Sequence, residues 1–168
     1  MNFWYNFARK KKETNLLENI IKDKEFALLM QKNIQELLIH FFNKEQNFGI
    51  LCTIEDVSFN PPLPLEIEAS FREMTLFFLA GYTFETAHIV ENNLVFEAGF
   101  GSENIGSVVT VPLYSIMQVI IDETPVLINL STFKIEEESN TKEIDENGVE
   151  NSMASFLSNP ENSKFLKK

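Results

Sequence analysis

Residues 89–121 read IVENNLVFEAGFGSENIGSVVTVPLYSIMQVII, and the fold turns on how this stretch is divided. Ile89, Leu94, Phe96, Ala98 and Phe100 recur at period two around Asn92-Asn93. That alternation predicts strands with one buried face, joined at asparagines that tolerate the positive φ of a tight hairpin. Gly99, Gly101 and Gly106 punctuate the loop that follows, and Val108 to Val111 is a second β-branched run. Pro112 stops that run because proline cannot donate to a ladder. Residues 113–116 then read as one tight turn and 117–121 as a further strand. Strand, loop, strand, turn, strand is the closing order of a small, strongly bent barrel.

Working outward on the N-terminal side, residues 14–46 read as helix. Leu17, Ile20, Ile21, Leu28, Ile34, Leu38, Phe41 and Phe42 recur at three- and four-residue spacing. Thr14 or Asn15 is the candidate cap. The polar Lys22–Lys24 interruption leaves open one helix or two. In the second half, Ile34, Leu37, Leu38, Phe41 and Phe42 span more arc than one sheet contact needs, which predicts a second partner such as the same helix of another copy. Gly49 reads as the helix stop, and 50–58 as a strand. The prolines of Asn60-Pro61-Pro62-Leu63-Pro64 forbid regular structure there. Leu65, Ile67 and Ala69 alternate with Glu66, Glu68 and Ser70, predicting a half-buried strand. Met74–Ala80 is the most apolar run and reads as the central strand. Gly81 turns the chain, and Val126–Leu130 reads as the last strand.

Charge is unevenly placed. Residues 28–133 hold 13 acidic side chains against Lys32, Lys44 and Arg72, a net of −10. A domain so acidic repels phosphate backbones, so no nucleic-acid partner is expected. The opening MNFWYNFARKKK joins four aromatics to four basic residues. It suits either a membrane-surface foot or a frayed terminus and subunit contact, and the second reading is favoured because four basic residues without lipidation anchor weakly. Nothing at the start reads as a signal peptide, and no apolar run reaches the ~18 residues needed to cross a bilayer. The lone Cys52 excludes a disulfide framework, fits a cytoplasmic setting and reads as a small core side chain. From about Lys134 the sequence becomes an acidic tail of low hydrophobicity, predicted to be disordered, with apolar islands at Met153–Leu157 and Phe165–Leu166.

Catalytic and cofactor motifs fail on inspection. GFGSENIG would need glycine at 104 to match a dinucleotide fingerprint, and Asn104 stands there, followed by a strand rather than a helix. Glu66 and Glu68 as a glycosidase pair, His40 and His88 as catalysts, and Asn129-Leu130-Ser131 as a glycosylation site all lose to structural readings. No enzyme, cofactor or metal is expected.

The order of several weak signals nevertheless resembles a known family. A helix, a strand, a proline loop with LPLEIEAS, then LFFLAGYTF, then ENNLVFEAGFGS and VVTVPLYSIMQVI is similar to stringent starvation protein B (SspB), the adaptor that hands ssrA-tagged polypeptides to the ClpXP protease. The resemblance covers about 31–131. It implies an α+β, mostly β fold: an N-terminal helix packed on a small, bent, Sm-like β-barrel, with a flexible acidic C-terminal tail. The implied organisation is an extension over 1–30, a peptide-binding domain over 31–133 and a tail over 134–168. Tag binding is implied for Phe96, Ala98, Gly99, Phe100 and Gly101, and docking on the unfoldase ClpX for Phe165, Leu166, Lys167 and Lys168. Homodimerisation through the helix at 31–46 is implied as well. Gly99 departs from the pattern, since the family often carries arginine there. That loss in an acidic domain leads to an expected preference for neutral or basic tags.

Overall fold

The computed structural model describes residues 16–135. The candidate caps Thr14 and Asn15, the aromatic and basic opening and the tail from 136 onward lie outside the described residues. The fold is α+β, with two four-stranded antiparallel sheets and few helices.

Residues 16–21 are helical, and the polar interruption separates them from a longer helix, α1, Lys24–Asn43. Asp23 caps α1: its carboxylate accepts the Phe26 N–H at 2.8 Å. The helix ends earlier than Gly49. The Gln46 N–H reaches the Phe41 carbonyl and the Glu45 N–H that of Phe42, with Glu45 itself at φ +51. This is a Schellman closure with glutamate in the left-handed position. Gly49 already lies inside β1, Phe48–Thr53.

Two continuous runs change sheet at 3₁₀ turns. β1 passes through Ile54–Asp56 into β2, Ser58–Asn60. Further on, β6, Ile105–Pro112, passes through Leu113–Ser115 into β7, Ile116–Ile121. With β3 (Met74–Leu79), β4 (His88–Val90), β5 (Asn93–Phe100) and β8 (Thr124–Ile128), the sheet orders are β3-β1-β7-β8 and β2-β6-β5-β4. α1 lays Ile34, Leu38 and Phe41 against inward residues of both sheets, among them Phe48, Ile50, Leu79, Leu94, Phe96, Val109 and Val119. Leu37 and Phe42 also pack on this cluster. All five residues of that arc thus touch the core within one chain, Leu37 and Phe42 remaining half-buried.

Three further expectations are corrected. Leu65–Glu68 is a short helix, α2, because the residues after Pro64 find no strand partner and close local bonds instead, Ala69 N–H to Leu65 O at 2.9 Å. The apolar run Met74–Leu79 is an edge strand, not a central one. The hairpin at 90–93 puts Glu91, not an asparagine, at φ +54. A third short helix, α3, Tyr82–Thr86, follows Gly81, whose φ of +54 supplies the turn. Past β8 the chain remains attached. Thr132 N–H donates to Ile21 O at 2.8 Å, and Lys134 pairs with Glu55 and with Asp56. Lys134 thus belongs to the folded body, and the compact unit closes at Ile135.

Candidate functional site

The side chains of β5 sort by alternation. Leu94 and Phe96 point into the core, while Glu97 and Gly99 face outward. β6 pairs with β5 so that Glu97 meets Val108, Ala98 meets Ser107 and Gly99 meets Gly106. Two glycines side by side, one pair in from the 101–104 turn, leave this end of the outer sheet face without side chains of its own. Above that floor is an open cleft of about 710 Å³. Asn60 and Pro61 form one wall, Tyr82 and Thr83 the other.

Specific bonds hold both walls. The Ser107 hydroxyl donates to Pro61 O at 2.9 Å. On the other side, Thr86 Oγ1 accepts the Glu97 N–H at 3.0 Å and donates back to Tyr82 O at 3.1 Å, which pins α3 to the edge of β5. The Tyr82 hydroxyl donates to the Glu97 carboxylate. That bond, and the carboxylate's charge, push the Tyr82 phenol above its ordinary value. Of the residues lining the cleft, Glu97 alone carries a charge.

The two floor glycines do different work. A Cβ on Gly99 would lie 1.8 Å from Asn104 Oδ1, so the missing side chain makes room for the Asn104 amide. A Cβ on Gly106 would meet nothing within 4 Å, so its absence keeps space open. Asn104 itself stands at φ +53 in the β5–β6 loop.

The five residues implied as tag-binding divide accordingly. Ala98 and Gly99 line the cleft. Phe96 is 1% exposed and lies in the core. Phe100 is half-buried, edge-on to Phe59 and Phe71. Gly101, at φ +70, lies where a Cβ would press on Ile67 at 2.9 Å. Phe165, Leu166, Lys167 and Lys168 lie outside the described residues. Tyr82, Thr83, Asn60 and Asn104 were not expected at the site. The Gly99–Gly106 pairing was a missed signal, since it follows once 101–104 is read as the hairpin turn.

The remaining candidates do not line the cleft. Glu66 and Glu68 are both exposed on α2. His88 is exposed, its Nδ1 2.9 Å from Thr86 O. Asn129 is buried, donating to Ile116 O at 3.2 Å and accepting from Ser131 N–H at 2.9 Å. Cys52 is buried, and desolvation, with a smaller contribution from Asp56, pushes its thiol up to about 12. Among the described residues no three His, Cys, Asp or Glu side chains converge as a metal site, and no helix is long and apolar enough to cross a membrane. Compared with known proteins, the chain matches no family model, no curated protein and no solved structure.

Proposed function

We propose that this protein is a peptide-binding adaptor of the stringent starvation protein B type, which holds ssrA-type degradation tags and tethers their carriers to the ClpXP protease. The observation that carries the reading is the open cleft whose floor is the bare backbone of Gly106 and the Asn104 amide laid over Gly99, beside Ala98. A groove with exposed strand backbone and small side chains suits an extended polypeptide. Main-chain bonds supply affinity, and the wall residues Tyr82, Asn60 and Asn104 supply selectivity. Phe96 and Phe100 support the floor from behind rather than touching the ligand. Two sheets that exchange strands at two bends are read here as the open form of an Sm-like barrel, with α1 in the place of the family's dimerising helix. Leu28, Leu29 and Ile39 are its exposed large apolar residues.

The adaptor mechanism needs no covalent chemistry. Tag in the cleft and Phe165–Lys168 on the unfoldase are two weak contacts on one molecule. A leader of about 30 residues spans roughly 30 Å root-mean-square if flexible, which gives effective concentrations near the millimolar range. Glu97 in the cleft favours tags that are neutral or basic where they meet it.

Fluorescence anisotropy with labelled ssrA-type peptides tests the cleft. Saturable binding to the full chain, lost when Gly106 is replaced by Leu, is expected; binding unchanged by that substitution refutes the site. Degradation of a tagged substrate by ClpXP tests the tether. Full-length protein should stimulate it, and a chain lacking 164–168 should bind the tag yet stimulate nothing.

A further inference from the structure

The outer face of the β3-β1-β7-β8 sheet carries apolar side chains on every strand, interrupted by Gln118 and Thr53. Antiparallel sheets with one solvated face normally alternate apolar inside and polar outside. Here β3 turns Phe77 and Leu79 inward, 7% and 0% exposed, yet also turns Leu76 and Phe78 outward, 44% and 60% exposed. Register places Phe78 beside Gly49 and Gly49 beside Ile120, while Leu76, Leu51, Gln118 and Ile128 form the adjacent row. Gly49 has no side chain to fill the row, and a Cβ there would touch Leu76, Phe78 and Ile120. At the end of this face, beside the turn after β7, opens a hollow of about 440 Å³ lined by Asn47, Phe48, Phe78, Ile120, Asp122 and Glu123. An apolar floor beside two carboxylates fits a ligand that carries aromatic rings next to positive charge.

We propose that this hollow is a docking site for the chain's own N-terminal segment, Phe3 to Lys12. That segment is Phe3-Trp4-Tyr5-Asn6-Phe7 followed by Ala8 and Arg9-Lys10-Lys11-Lys12. Its rings match the floor and its cations match the rim, in a domain otherwise at −10. Attachment and reach agree. The helical residues 16–21 end at Ile21, whose carbonyl is held by Thr132, just past the end of β8 in the same sheet. Phe7 and Phe3 precede Leu16 by nine and thirteen positions, roughly 30–45 Å of extended chain. Of the hollow's residues, Ile120 stands two positions and Asp122 four positions beyond Gln118 of the Gln118–Ile128 pair, roughly 7–13 Å. Docking would explain why β3 keeps large apolar side chains on both faces while standing at a sheet edge, where an open apolar strand invites aggregation.

Trp4 is the sole tryptophan, so the full-length protein carries its own probe. The expected result is emission shifted to shorter wavelength, and weaker acrylamide quenching, than in a free peptide of residues 1–15. Both values should be independent of protein concentration. Phe78→Ser, at an exposed position that tolerates polarity, should move both back to the peptide values. Asp122→Asn with Glu123→Gln should move them part of the way, as should added salt. Emission equal to that of the free peptide overturns the proposal, and so does a shift that survives Phe78→Ser. A shift that grows with protein concentration assigns the face to a second copy. One that appears only with anionic phosphatidylserine vesicles assigns the rings to a membrane. Either result overturns docking within one chain.

Discussion

The two sheets share one core but present opposite outer faces. On β2-β6-β5-β4 most outward positions are small or polar, Ser58, Asn60, Glu97, Gly99, Gly106 and Thr110, with Val90, Val95 and Val108 among them. On β3-β1-β7-β8 they are mostly large and apolar, Leu76, Phe78, Leu51, Ile120 and Ile128, with Gln118 and Thr53 among them. The inner faces follow one rule, apolar and close-packed, because both must exclude water from the same interior. The outer faces follow no common rule, so their difference reports what each is for. Bare backbone with one carboxylate suits a polypeptide held by hydrogen bonds. A ringed apolar floor suits a partner held by burial.

Substitution at paired positions breaks that contrast or sharpens it. The largest effect should come from comparing Phe96 with Phe78. Phe96→Ala removes a core ring in contact with Phe77 and should cost about 3–5 kcal/mol in urea unfolding. Phe78→Ala, at 60% exposure, should cost about 1 kcal/mol or less. Equal costs would mean that the outer face is as buried as the core.

Next come the floor glycines. Gly99→Val must drive the Asn104 amide off the strand and into the cleft, and should weaken peptide binding about tenfold or more, some 1.4 kcal/mol. Gly106→Ala meets nothing and should leave stability within about 0.5 kcal/mol. Anisotropy and thermal melts on the two variants separate loss of the cleft from loss of the fold.

Cys52 gives a pH signature of the shared interior. Its thiol rises from an ordinary 9.0 to about 12 on folding, so the fold favours the protonated form. The contribution is complete below pH 9 and is lost as pH climbs toward 12, with a slope of at most about 1.4 kcal/mol per pH unit. Denaturation curves across that window check the sign. At pH 8 the thiol should resist iodoacetamide until the chain unfolds. The smallest effect belongs to the cleft rim. Tyr82 ionises later than an ordinary phenol because it donates to Glu97, and Glu97→Gln should lower its absorbance-monitored titration midpoint without moving the melting temperature.

Where the chain's own periodicity speaks, it was legible. The α1 core stripe and the turn after Pro112, which ends one residue earlier than expected, followed from spacing and from proline, and the polar Lys22–Lys24 stretch marked where the helix could break. Elements set by neighbours were misread. Leu65–Ala69 alternates like a strand yet has no edge to pair with. The Met74–Leu79 run looks central because both its faces are apolar, and only its position beside β1 alone shows that one of those faces is open. The candidate site was half legible. Ala98 and Gly99 stood out, but Phe96 was drawn in by the same motif although its side chain points the other way.

Local sequence alone determined the helix, the strands and their breaks, because periodicity and the backbone limits of proline act within a few residues. Tertiary structure alone decided which apolar face meets the core, which strand lies at an edge, and that Gly99 exists to admit Asn104. Those outcomes depend on atoms brought together from distant parts of the chain, and no local pattern encodes how crowded a position will be once the sheets close.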